Sequence, residues 1–266
     1  MCRHLAWLGA PRTLAALVLD QPHSLLRQSY APREQRHGSI NADGFGVGWY
    51  APSVRREPAR LRRGQPIWTD LSFASMAPLI SSGCVLAAVR SATAPFPVDE
   101  AGAAPFTAGP WLFSHNGKLD DFAVHAVALR TLLPPAAAAA VETPSDAALL
   151  WALTRHRLEQ GATLGDALAS VVAEVAAITS GRMNLLLTDG TAVAATTYGD
   201  TLVTRREADG VLVASEPVDD GPGWERVPDA SLVVVTADAH TVAPLPVPPR
   251  PTVATAARTP QTGGIT

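Results

Sequence analysis

The chain has 266 residues, a formal net charge of -3 and a sequence pI of about 6.1, with 47% hydrophobic and 17% charged residues. That composition excludes a disordered chain and supplies one large α/β domain, or two small ones, with ample core. It has no basic stripe, which argues against a nucleic-acid partner, and no apolar run long enough to cross a membrane.

Residues 2–8 (CRHLAWL) predict a short strand at the extreme N-terminus. Arg3 ahead of an apolar stretch has the outline of a signal peptide. Pro11 and Arg12 interrupt that stretch, and Asp20 closes it without a small-residue cleavage site. It reads as mature protein, with the cytoplasm as the expected location. Asn41-Ala42-Asp43-Gly44 is a turn signal, and FGVGWY after it reads as a strand. Gly44, Gly46 and Gly48 recur at strand period and bare one face, where another chain or a ligand can approach closely. Further strands are expected at 84–90 and 111–115.

A helix is expected from Leu119 to Leu133, where Leu119, Phe122, Ala126, Leu129 and Leu133 share a face. Pro134-Pro135 stops it, and an alanine-rich loop follows. Ser145 is a good N-cap for a second helix that Gly161 ends, and a third runs from Leu164 to Ile178. From Met183 the pattern turns to short β segments, with Asp189-Gly190, Gly199-Asp200 and Asp209-Gly210 as hairpin turns. Residues 246–266 are rich in Pro, Ala and Thr and are expected to be a disordered tail. Strands, then helices, then strands suggest an α+β arrangement in layers.

Four features can carry chemistry. Removal of Met1 would leave Cys2 with a thiol and a free α-amine on one residue. Their reference pKa values, roughly 8.5 and 7.7–8.0, let the amine take the thiol proton near neutral pH. Ser114-His115-Asn116-Gly117 closes an apolar strand, and the Asn116 amide with the Gly117 N–H could stabilise an oxyanion; Asn-Gly is also a common turn pair. Arg90, near Thr93, could clamp a carboxylate or lie on the surface as an ordinary arginine. Asp146 could hold an ammonium or simply suit a helix start. Cys84 sits in an apolar run and reads as a small buried hydrophobe, with a bridge to Cys2 as the minor alternative. No HExxH, CxxC, P-loop or G-x-S-x-G motif appears, so neither a metal nor an organic cofactor is expected.

Taken in order, Cys2, Arg90-x-x-Thr93, His115-Asn116-Gly117 and Ser145-Asp146 resemble the glutaminase domain of the class II glutamine amidotransferases, which are N-terminal-nucleophile hydrolases. The resemblance covers residues 2–245 and implies a four-layer αββα sandwich. It implies that Cys2 is the nucleophile, exposed by methionine aminopeptidase, and that Asn116 and Gly117 form the oxyanion hole. It places Arg90 and Thr93 on the glutamyl α-carboxylate, Asp146 on the α-ammonium, and His115 among the substrate-binding residues. MCRHLAWLGAP, QSYAPR, NADGFGVGWY, AAPFTAGPWLFSHNG and VASEP further resemble a free-standing amidohydrolase branch of the family. Its small-molecule γ-glutamyl substrate has a leaving group with a trimethylammonium. Trp49, Trp68, Trp111 and Trp224 are candidates to meet that cation, with core burial as the alternative role. Other readings are a glutaminase serving a partner synthase, a general γ-glutamyl peptide hydrolase, a papain-like Cys2–His115 pair, and a catalytically silent binding protein. Cys2→Ala, and the fate of Met1, would separate them.

Overall fold

A computed structural model describes residues 2–93 and 96–247. Its strands form two antiparallel sheets. One contains β1 (Arg3–Thr13), β2 (Phe45–Trp49), β3 (Ala59–Arg63), β4 (Ser81–Val89), β9 (Val203–Glu207), β10 (Gly210–Ala214) and β11 (Glu225–Arg226). Their order is β11-β9-β10-β1-β4-β2-β3. The other contains β5 (Phe106–Ala108), β6 (Trp111–Leu119), β7 (Gly181–Thr188), β8 (Val193–Thr197), β12 (Ser231–Val235) and β13 (His240–Pro244). Their order is β13-β12-β8-β7-β6-β5.

Strand alternation divides the apolar residues among three cores. On β1, Leu5 and Trp7 pack with Leu14, Leu17, Leu25 and Phe73. These come from the short helices α1 (Leu14–Val18), α2 (Leu25–Gln28) and α3 (Leu71–Met76). Ala6, one residue out of phase, instead meets Leu86, Leu112, Leu186 and Val213 between the sheets. Phe113, Leu185 and Leu187 face away from that layer, toward Leu149, Leu153, Leu168 and Val172. The latter belong to α6 (Asp146–Glu159) and α7 (Leu164–Ala176), while α4 (Phe122–Arg130) and α5 (Pro135–Ala139) pack beside α6. The result is the four-layer αββα sandwich. Each fully buried Leu or Phe in these layers contributes roughly 1.5–3 kcal/mol.

Local chemistry sets the helix boundaries. Ser145 Oγ accepts the Ala148 N–H at 3.2 Å and opens α6, and Gly161 stops the chain beyond it at φ +91°. Three expectations need correction. Leu119 does not begin a helix: it ends β6, paired with Gly181, and α4 starts only at Phe122. The alanine-rich segment is no loop but α5, with Pro135 at its first turn and the best helix former behind it. Gly199-Asp200 closes no hairpin, because β8 and β9 lie in different sheets and the chain crosses between them there. Asn184 Oδ1 holds that crossing by accepting the N–H groups of Tyr198 (2.9 Å) and Asp200 (3.2 Å).

The bare glycine face of β2 is used by the chain itself. A Cβ at Gly46 would strike the Ala104 carbonyl, and one at Gly48 would lie 2.6 Å from the Leu112 side chain of the facing sheet. Positions 248–266, most of the expected tail, fall outside the described residues. Among the described residues no helix is long and apolar enough to cross a membrane, and no group of three or more His, Cys or acidic side chains is placed to hold a metal ion.

Candidate active site

β1 starts almost at the chain terminus, and its register with β4 decides what Cys2 meets. Arg3 pairs with Val89 and His4 with Ala88, so the next step of the ladder sets Cys2 beside Arg90. Cys2 is half-buried and lines a pocket with Arg90, Thr93, His115, Gly117 and Asp146. Six of the seven residues singled out in the sequence therefore surround one cavity. The seventh, Asn116, lies behind it, fully buried between the sheets. Cys84 is remote from this chemistry. Both cysteines are free; the Cys84 sulfur is 3.2 Å from Thr188 Oγ1, and burial pushes its thiol up to about 12, so it stays protonated.

Arg90 is only 7% exposed, and among the described residues no acidic side chain forms an ion pair with it. Its guanidinium lies over Gly102, where an added Cβ would come within 2.5–2.7 Å of Nη2, Cζ and Nη1. Asp43 fixes the backbone that follows the arginine, and the Gly44 carbonyl accepts the Arg90 N–H ahead of it at 2.7 Å. The Asp43 N–H donates to the Arg90 carbonyl at 2.9 Å, and its Oδ2 accepts the Ala92 N–H at 2.7 Å. The Asn41–Gly44 turn is thus the brace of the arginine loop. A buried guanidinium without a carboxylate is costly unless a ligand supplies one, and its planar fork fits a carboxylate with two parallel bonds.

The end of β6 supplies donors. Met183, opposite Gly117, gives its own N–H to the Tyr198 carbonyl at 2.9 Å, on the far side of β7. Alternation in an antiparallel ladder then turns the Gly117 N–H away from β7. On that side β5 has already ended, at the residues facing 111–113, so the N–H opens on the pocket. Glycine is required here, because a Cβ would run into the Arg182 carbonyl. His115 Nε2 is 3.0 Å from that carbonyl and must donate to it, which leaves Nδ1 without a proton in the neutral ring. Asn116 Nδ2 gives one hydrogen to Ser215 Oγ at 3.3 Å and keeps a second.

Asp146 performs two tasks at the first turn of α6. Oδ2 accepts the Leu119 N–H at 3.0 Å, tying the end of β6 to the helix, and Oδ1 accepts the Ala147 N–H at 2.8 Å. The carboxylate still lines the pocket and retains acceptor capacity for an ammonium.

Sequence reasoning missed the supporting residues. His4 Nδ1 is 3.1 Å from Ser114 Oγ, and the His4 N–H donates to Ser215 Oγ at 3.0 Å, so a polar network beneath Cys2 joins the two sheets. Burial, then the charges of Arg3 and His115, lower the His4 pKa to about 3, which keeps the ring neutral. Glu216 is fully buried and accepts the N–H groups of Arg33 and Glu34, both at 2.9 Å, while Arg3 lies 3.7 Å away. This joins the QSYAPR and VASEP segments against the N-terminus; only their unusual wording hinted at it. The four tryptophans take other places. Trp68 meets Tyr30 edge-on, Arg205 covers Trp224, and Trp49 and Trp111 pack against apolar cores. None of them lines the pocket with Cys2.

An αββα sandwich with a cysteine as its second residue, facing donors at a strand end and a buried arginine, defines an amidohydrolase of the N-terminal-nucleophile type. The chain belongs to the class II glutamine amidotransferase family, whose model matches residues 13–209. It is 50% identical over 244 residues to a γ-glutamyl-hercynylcysteine sulfoxide hydrolase of Mycolicibacterium smegmatis, covering 91% of this chain and 98% of that protein. A protein of the same name from Mycobacterium tuberculosis is 46% identical over 246 residues, covering 92% of this chain and 97% of that one. Among solved structures, a glutamine aminotransferase class-II domain protein from Silicibacter pomeroyi shares the fold at a TM-score of 0.67 and 22% identity, over 92% of this chain and 99% of that one.

Proposed function

We propose that this chain is the amidohydrolase that cleaves γ-glutamyl-hercynylcysteine sulfoxide to glutamate and hercynylcysteine sulfoxide, a step of ergothioneine biosynthesis. The observation that carries the γ-glutamyl part is the pocket that sets Cys2 beside a buried arginine with no acidic partner among the described residues, with Asp146 on the same wall. Such a pair of opposite charges suits the α-carboxylate and α-ammonium of a glutamyl group. Similarity to hydrolases of that name along nearly their whole length supports the leaving group.

The reaction begins with removal of Met1 by methionine aminopeptidase, which accepts a small second residue such as cysteine. The α-amine of Cys2 takes the thiol proton, and the thiolate attacks the γ-carbonyl carbon. The oxyanion is met by the Gly117 N–H and by the second Asn116 Nδ2 hydrogen. The ammonium returns its proton to the departing amide nitrogen, the C–N bond breaks, and a γ-glutamyl thioester forms on Cys2. Water, deprotonated by the freed amine, adds to the thioester and expels the thiolate, releasing glutamate.

Cys2→Ala protein should show no glutamate release above the uncatalysed rate, measured on γ-glutamyl-hercynylcysteine sulfoxide with the protein folded by circular dichroism. Turnover at the wild-type rate would refute the scheme.

A further inference from the structure

β3 is the last strand of its sheet, and its register sets Arg62 opposite Gly46 and Arg60 opposite Gly48. Residues opposite each other in an antiparallel pair share a face. That face is the inner one, since a Cβ at Gly48 would meet Leu112 of the other sheet. Leu61, between the two arginines, packs against the outer core instead. Two cations on an edge strand thus point inward, over a stretch of β2 that has no side chains.

Their partners are the carbonyls of one short segment, residues 101–105. Arg62 Nη1 donates to the carbonyls of Ala101 at 3.2 Å and Ala103 at 3.4 Å, and Arg60 Nη1 donates to that of Pro105 at 3.1 Å. The Ala104 carbonyl lies against bare Gly46. Arg62 Nη1 is also 3.7 Å from Glu142 Oε2, which holds the guanidinium from the turn ahead of α6. Gly102 sits within this segment, its N–H given to Asp99 Oδ1 at 2.8 Å. It is the glycine over which the Arg90 guanidinium lies. One arginine therefore grips the carbonyls on either side of the residue that seats another.

We infer that Arg62 is a positioning residue for the glutamyl carboxylate, with Arg60 as a second post of the same support. This rests on the reading above, in which Arg90 takes that carboxylate. Arg62 does not line the pocket with Cys2. It acts through the segment: with the Ala101 and Ala103 carbonyls held, Gly102 stays where the Arg90 guanidinium lies on it. The planar fork then keeps the aim that two parallel bonds to a carboxylate require. Gly46 belongs to the same device, because a side chain there would lift the segment at Ala104. Such a support serves binding in the ground state and the transition state alike, so its loss raises KM and spares kcat.

The test uses the Met1-processed enzyme and its Arg62→Met variant, which keeps the stem and loses the donors. KM for γ-glutamyl-hercynylcysteine sulfoxide should rise about fivefold or more while kcat stays within about twofold. Two competitive inhibitors are compared: glutamate, and isoglutamine, whose α-carboxylate is replaced by a neutral amide. Arg62→Met should shrink the preference for glutamate over isoglutamine by about fivefold or more. Arg62→Lys, which keeps the charge and can reach one carbonyl, should recover part of both losses. If Arg62→Met melts early, Arg60→Met takes its place, with the same direction expected. Wild-type KM and preference in the variants overturn the inference. So does equal weakening of both inhibitors, the mark of a pocket disturbed in general. The carboxylate reading of Arg90 fails separately, if wild-type enzyme binds isoglutamine as well as glutamate.

Discussion

Arg90 illustrates how one glycine can set the position of a charged side chain. The guanidinium occupies the space that any side chain at residue 102 would need. Gly102→Ala should therefore push it off the position proposed for the glutamyl carboxylate. The expected result is a KM for γ-glutamyl substrates raised at least about tenfold, the loss of one charge-assisted bond. Wild-type KM in that variant would show that Arg90 does not hold the glutamyl group. His4 makes a different statement. Its pKa is pushed down from the ordinary 6.5 to about 3, because burial and then the Arg3 and His115 charges oppose protonation. The unfolded chain then binds a proton that the folded chain refuses. Stability is fully present above about pH 6.5 and is lost as pH falls toward 3, by on the order of 1 kcal/mol per pH unit. His4→Asn, which cannot take the proton, should lose stability less steeply over that range in urea denaturation. Identical slopes would contradict the neutral buried histidine.

At the scale of elements, the site depends on where strands and helices end. β6 delivers Gly117 to the pocket because it outlasts β5, and α6 delivers Asp146 because Ser145 caps it. The cap was legible, since serine before an acidic first turn has a local cause. The end of β6 was not: Leu119 fits the apolar period of the helix behind it, and only the Asp146 hydrogen bond and the Gly181 pairing hold it as strand. Long-range partners of this kind leave no local mark. Glu216 is another, reaching Arg33, Glu34 and Arg3 across the sequence. Glu216→Gln keeps the shape but removes the charge facing buried Arg3 and sets an amide donor against a backbone donor. It should cost about 3 kcal/mol, read as a lower urea midpoint. A loss under about 1 kcal/mol would mean that Arg3 is balanced by other groups, Asp200 foremost.

The whole molecule separates stability from chemistry. Three apolar cores fill the layers, and the polar residues His4, Ser114, Asn116 and Ser215 gather at one end of the inter-sheet layer, under Cys2. The layered fold and most of the pocket were readable because strand period, helix period and the family motifs agree. What period could not give was the side of each strand that meets the other sheet, or which aromatic residues border the pocket; sequence offered four tryptophans as candidates without choosing between that role and core burial, and none of them lines it. The most direct test of the account is glutamate release by the Met1-processed enzyme, with γ-glutamyl-hercynylcysteine sulfoxide, glutamine and glutathione offered in parallel. The account expects kcat/KM on the first to exceed the other two by at least about a hundredfold, the worth of a filled leaving-group site. Equal or faster release from glutamine or glutathione would contradict it.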